Sequence, residues 1–232
     1  MDVVILHGWP LSGATFAPLS RALATKGYHA FAPDMPGFGN AKLPNKPYHL
    51  DDYVSFIQQY AAMHKLKKFI LIGHSFGGRI ALKFARTNSG MVERLILSGV
   101  PGFLPVDKSK VTFFLILAKL GTFIFSLSIL APFAHMARKI LYRAARAGDY
   151  LKAEGVMRAT FIHVIREDLE PTMKKITNPT LLVWGANDFV VPVRVARKMA
   201  STIHGSSLHI VTDSGHGLPY QEPELFIKHA QL

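Results

Sequence analysis

Apolar residues recur along this chain in two rhythms. Residues 3–6, 69–72, 92–100 and 179–184 form short, nearly unbroken apolar runs bounded by Gly or Pro, the pattern of strands covered on both faces in a parallel sheet. Residues 28–32 and 208–211 add two further runs with a histidine in each. Between them the apolar positions fall at helical spacing: Phe16, Leu19 and Leu23 in 15–26, which Gly27 closes, and Tyr53, Phe56, Ile57 and Tyr60 in 51–64, with Asp51 or Asp52 as the expected cap. Ile80, Ala81, Phe84 and Ala85 repeat the spacing in 79–86, and residues 193–203 and 222–231 read as two further helices. Strands alternating with helices predict an α/β fold with a doubly wound, mostly parallel sheet of about six strands.

The alternation stops between Gly102 and Pro171. A helical, β-poor insert after the fourth strand predicts a cap over the carboxyl ends of the strands, so the expected organisation is core 1–102, cap 103–171 and core 172–232. Residues 111–137 carry only Lys119 as a formal charge, but Lys119, Gly121 and Pro132 argue against a single membrane span. An apolar cap lining a greasy pocket is the reading adopted, with an interfacial or dimerising patch as the alternative. The chain opens Met-Asp-Val-Val-Ile-Leu-His-Gly with no basic leader, which reads as a strand and sets the expectation of a cytoplasmic protein.

Composition narrows the chemistry. The 232 residues are 49% hydrophobic and include no cysteine, which removes disulfides, a thiol nucleophile and Cys-bound zinc. Lys and Arg outnumber Asp and Glu by 27 to 15, a net charge of +12. The basic residues are scattered, as at Lys65, Lys67, Lys68, Arg138 and Lys139, without a nucleic-acid motif. They read as solvated faces, with weak binding to anionic membrane surfaces as the alternative.

The stretch 70–78, Ile-Leu-Ile-Gly-His-Ser-Phe-Gly-Gly, runs from strand through tight turn to helix with Ser75 at the tip. A serine hydroxyl attacks only if a base takes its proton and an acid holds that base in the right tautomer. His216, between two glycines after the sixth strand, and Asp188, after the fifth, supply them in the order Ser, Asp, His. Asp213 is the rival acid, but it precedes His216 by three residues on the same loop. The backbone N–H groups of Phe76 and Trp9 are the candidate oxyanion donors. His7 is expected to make structural hydrogen bonds, and His74, inside the turn, to support Ser75 without turning toward it. Neither a metal nor a cofactor is required by this chemistry.

Leu6-His-Gly-Trp-Pro10, Asp34-Met-Pro-Gly-Phe-Gly39, Gly73-His-Ser-Phe-Gly-Gly78, Gly185-Ala-Asn-Asp188 and Ser214-Gly-His216 together resemble the α/β-hydrolase fold family, of the small capped serine hydrolase kind. The resemblance implies an eight-stranded sheet with a helical cap, and Ser75, His216 and Asp188 as triad. The chain starts at what would be the family's third strand, so the N-terminal strand pair is expected to be missing and residues 28–32 to form a free edge able to pair with a second copy. Serine in place of the carboxylate nucleophile disfavours the family's dehalogenases and epoxide hydrolases. An esterase or lactonase is expected, acting on a small molecule with an apolar acyl part, with Phe113, Phe114 and Leu218 as substrate contacts. The rivals are C–C bond hydrolysis, N-terminal peptide cleavage or acyl transfer on the same triad, and a non-enzymatic ligand receptor.

Overall fold

The structure, a computed structural model, describes residues 1–104 and 153–232. The central part of the expected cap, with Phe113 and Phe114, lies outside the described residues.

Six strands form one sheet: β1 (Asp2–Leu6), β2 (His29–Phe31), β3 (Phe69–His74), β4 (Val92–Ser98), β5 (Thr180–Gly185) and β6 (Ser207–Val211). Their order is β2-β1-β3-β4-β5-β6 and every neighbouring pair is parallel, with β2 at one edge. The apolar runs follow from this. Alternate residues of one strand enter two different cores: Val4, Leu6, Leu71, Leu95, Leu97, Leu182 and Trp184 face one layer of helices. Val3, Ile5, Ile70, Ile72, Ile96, Leu181 and Val183 face the other.

The first layer holds α2 (Leu50–Met63), α3 (Phe76–Thr87) and α6 (Val193–Thr202), through Tyr53, Ile57, Ile80, Phe84, Ala196 and Met199. The second holds α1 (Ala17–Thr25) and α8 (Pro223–Ala230), through Leu19, Leu23, Phe226 and Ile227. Two expected boundaries shift. A 3-10 turn at Gly13–Phe16 precedes α1, and α2 starts at Leu50 with His49 as its cap residue. Asp52 reaches back to accept the His49 N–H at 2.8 Å, which leaves both acidic residues in the first turn, where they complement the helix dipole.

Between β4 and β5 the described chain forms α4 (Gly155–Arg166) and α5 (Glu170–Met173). α4 is tied to the start of α2: Thr160 Oγ1 accepts the Tyr48 N–H at 2.9 Å, and the His49 and His163 rings stack with centroids 4.0 Å apart. α5 packs on α3 and α6, with Met173 buried in the first core layer. A last short helix, α7 (Leu218–Gln221), precedes α8. Among the described residues, no helix is long and apolar enough to cross a membrane.

Candidate active site

All six strands point the same way, so their carboxyl ends share one rim. The candidate residues singled out from sequence follow Leu6, His74, Gly185 and Val211.

Ser75 joins β3 to α3 at φ 52 and ψ −115, a conformation that L-residues rarely adopt. It is held there from both sides. Its N–H donates to Ser98 O at 2.9 Å, and its carbonyl accepts the Gly78 N–H at 3.0 Å. The neighbouring glycines give α3 its close seat: a Cβ on Gly77 would stand 2.2 Å from Leu6 O, and one on Gly78 would stand 2.1 Å from Val100 Cγ2. Phe76 is the first residue of α3, so its N–H has no acceptor within the helix.

The loop after β1 lies beside the serine, since a Cβ on Gly8 would stand 3.2 Å from Ser75 Cβ. Trp9 meets Phe76 edge to face, with ring centroids 5.5 Å apart, and also touches Phe38 at 4.6 Å and Phe161 of α4 at 5.1 Å. His7 is buried and fills the structural role expected of it. Its Nε2 accepts the Met35 N–H at 3.1 Å, so the proton is on Nδ1, which faces Gly8 O at 3.0 Å. Burial lowers its pKa.

Asp188 and His216 meet. His216 Nδ1 donates to Asp188 Oδ2 at 2.8 Å, and because a carboxylate only accepts, the neutral ring keeps Nε2 free as a base. The other carboxylate oxygen is fixed by the N–H groups of Val190 at 2.9 Å and Val191 at 2.7 Å. The Trp184 indole N–H, donating to Val191 O at 2.8 Å, braces the same loop. The Asp188 side chain is 1% exposed and that of His216 is 20% exposed, so the acid is sealed while the imidazole reaches the rim. Asp213, the alternative acid, is exposed.

His74 is buried beneath the imidazole, with ring centroids 4.7 Å apart, and its Nδ1 bonds Ser98 O at 3.1 Å. Burial first, then the neighbouring His216, pushes its pKa down to about 3, so it stays neutral. Among the described residues, no hydrogen bond joins Ser75 Oγ to His216, and the group assembled here is the acid–base pair beside the serine turn. Leu218, expected to touch substrate, is fully buried in the second core layer with Phe16 and Phe226. Among the described residues, no group of three His, Asp or Glu gathers to hold a metal ion.

Sequence reasoning missed Gly99. The loop after β4 carries none of the candidate residues, yet Gly99, at φ 64, is where His216 fits: a Cβ there would stand 2.7 Å from His216 Cε1. Gly215 and Gly217 flank His216 in the chain, and a Cβ on Gly217 would stand 2.3 Å from Gln221 Oε1.

Similarity to known proteins places the fold. An uncharacterized hydrolase of Bacillus subtilis, YugF, is 26% identical, with the match covering 98% of this chain and 87% of that protein. A 2-hydroxy-6-oxononadienedioate/2-hydroxy-6-oxononatrienedioate hydrolase of Escherichia coli is also 26% identical, over 97% of this chain and 83% of its own. Among solved structures, an esterase from Exiguobacterium antarcticum superposes with a TM-score of 0.75 at 27% identity, covering 100% of this chain and 90% of that one. The sequence model for the alpha/beta hydrolase fold matches residues 3–223, and the chain belongs to that family.

Proposed function

We propose that this chain is a serine hydrolase that cleaves carboxylic esters or lactones with an apolar acyl part through an acyl-enzyme on Ser75. The observation that carries this reading is the 2.8 Å bond from His216 Nδ1 to Asp188 Oδ2 beside a serine held at positive φ. In the reaction, Ser75 Oγ attacks the carbonyl carbon as its proton passes to His216 Nε2. The N–H groups of Trp9 and Phe76 receive the oxygen on which negative charge develops. The C–O bond to the alcohol breaks and His216 returns the proton to the leaving oxygen. Water, deprotonated by His216, then attacks the acyl carbon and Ser75 leaves with that proton.

The rings of Trp9, Phe38 and Phe76, with Phe161 across from them, support an apolar acyl group. The likeness to the Exiguobacterium esterase supports ester chemistry. The test is a panel of p-nitrophenyl esters and lactones, together with fluorophosphonate labelling. Ser75→Ala is expected to lose kcat by about four orders of magnitude or more, and the label to add to Ser75 alone. Equal rates in wild type and variant overturn the reading.

The Escherichia coli relative supports a second reading, C–C bond hydrolysis on the same three residues. A 2-hydroxy-6-oxo-dienoate consumed by a protein that leaves every ester intact decides for it.

A further inference from the structure

Arg79 is 2% exposed, and among the described residues no other Lys or Arg is buried. It follows Ser75 by four residues on α3, which places it one turn along the same side of the helix. Its guanidinium donates to three main-chain carbonyls: Nη1 to Pro101, and Nη2 to Val164, at 2.8 Å, and to Glu167. Nε is buried without a partner. The Glu167 carboxylate is engaged elsewhere, with Lys83 Nζ at 2.6 Å, and Lys83 also pairs with Asp51 at 2.7 Å.

A buried cation without a direct carboxylate partner is costly, and a Leu or Met would fill this space without that cost. What a guanidinium adds is direction, because its planar fork fixes several acceptors at once. The acceptors belong to two segments that border the site. Pro101 ends the loop of Gly99 and Val100, where Gly99 backs the His216 imidazole and Val100 packs on Gly78. Val164 and Glu167 lie at the end of α4, the helix that brings Phe161 against Trp9.

Resting on the serine hydrolase reading, we infer that Arg79 is a positioning residue for hydrolysis. By holding the carbonyls of Pro101, Val164 and Glu167, it fixes the wall behind His216 and the end of α4 relative to the helix that starts at Ser75. Its removal lets the imidazole and the nucleophile drift apart, while Trp9, Phe38 and Phe76, which none of the three carbonyls holds, keep an apolar surface for the acyl group. The cost therefore falls on kcat.

The test compares Arg79→Lys and Arg79→Met with wild type and with Lys83→Met, on a p-nitrophenyl ester that wild type turns over. Rates are normalised to sites titrated by a fluorophosphonate, so that any unfolded fraction drops out. The Arg79 variants are expected to lose kcat about 10- to 100-fold and to label more slowly, with KM little changed. Lys83→Met, which removes ion pairs of the same helix without touching the carbonyl clamp, is expected to keep kcat within about twofold. Unchanged kcat per titrated site in a folded Arg79 variant overturns the inference. So does failure of both variants to fold, which assigns Arg79 to stability alone. Wild type that neither labels nor turns over any ester overturns the underlying reading instead.

Discussion

The His216 imidazole occupies the place that a side chain at Gly99 would need: an added Cβ would stand 2.7 Å from Cε1 and 2.8 Å from Nδ1. The backbone at Gly99, φ 64, also disfavours any other residue. Gly99→Ala is therefore expected to move the ring away from Asp188, 2.8 Å distant in the native pair. Placing alanine at that φ costs on the order of 1–2 kcal/mol, and loss of alignment lowers kcat about 10- to 100-fold. Urea denaturation and steady-state kinetics measure the two effects separately. A variant with wild-type kcat would show that the ring tolerates displacement.

Asp188 meets His216 through one oxygen and is held through the other. In Asp188→Asn the amide oxygen can keep the Val190 and Val191 N–H groups, which leaves the NH2 facing His216 Nδ1. That contact selects the tautomer protonated on Nε2, which cannot accept the serine proton. The expected result is a folded protein with kcat lower by about three to four orders of magnitude and KM nearly unchanged. Near-normal turnover would direct attention to the exposed Asp213.

The fold was legible because each buried strand is apolar on both faces. Val3 and Val4 enter opposite cores, and no exposed face interrupts the run. The strand-end positions of Ser75, Asp188 and His216 were legible because Gly-x-Ser-x-Gly and the strand-end loops constrain local backbone, and local backbone leaves a mark in sequence. Gly99 and Arg79 were not, since their importance arises from contacts across the chain. Nothing near Gly99 marks it as the neighbour of residue 216, and Arg79 read as one more polar position on a helix until its acceptors at 101, 164 and 167 were placed. Leu218 differs in the opposite direction: it was expected to touch substrate, whereas the short helix it starts turns it into the core.

Burial of neutral histidines makes stability depend on pH. His74 falls from the ordinary value of 6.5 to about 3, and His7 is lowered as well, so in the native state both remain neutral where the unfolded chain takes up protons. The His74 contribution is complete above about pH 6.5 and is lost as pH falls toward 3, at up to about 1.4 kcal/mol per pH unit once the unfolded form is protonated, and His7 acts in the same direction. Urea midpoints are expected to fall between about pH 7.5 and pH 5.5, a window above most carboxylate titration. His74→Leu should flatten that slope by about one proton, and an unchanged slope would mean that His74 does not stay neutral in the fold.

The loop carrying Trp9 depends on a bond that the reacting groups never touch. His7 Nε2 accepts the Met35 N–H at 3.1 Å, linking the β1 loop to the turn after β2, and Asp34 Oδ1 accepts the Gly13 N–H at 2.7 Å alongside it. His7→Leu has nearly the right volume but strands a buried N–H, which costs about 1–3 kcal/mol. His7→Gln can present its amide oxygen to the same donor and is expected to recover part of that loss. If the loop also delivers the Trp9 N–H to the oxyanion, kcat should follow the same order, wild type above Gln above Leu, with the largest drop about 10-fold or more. Parallel urea denaturation and ester kinetics read both series. Leu and Gln variants equal in stability would remove the hydrogen bond from the account, and equal kcat values across differing stabilities would separate the brace from catalysis.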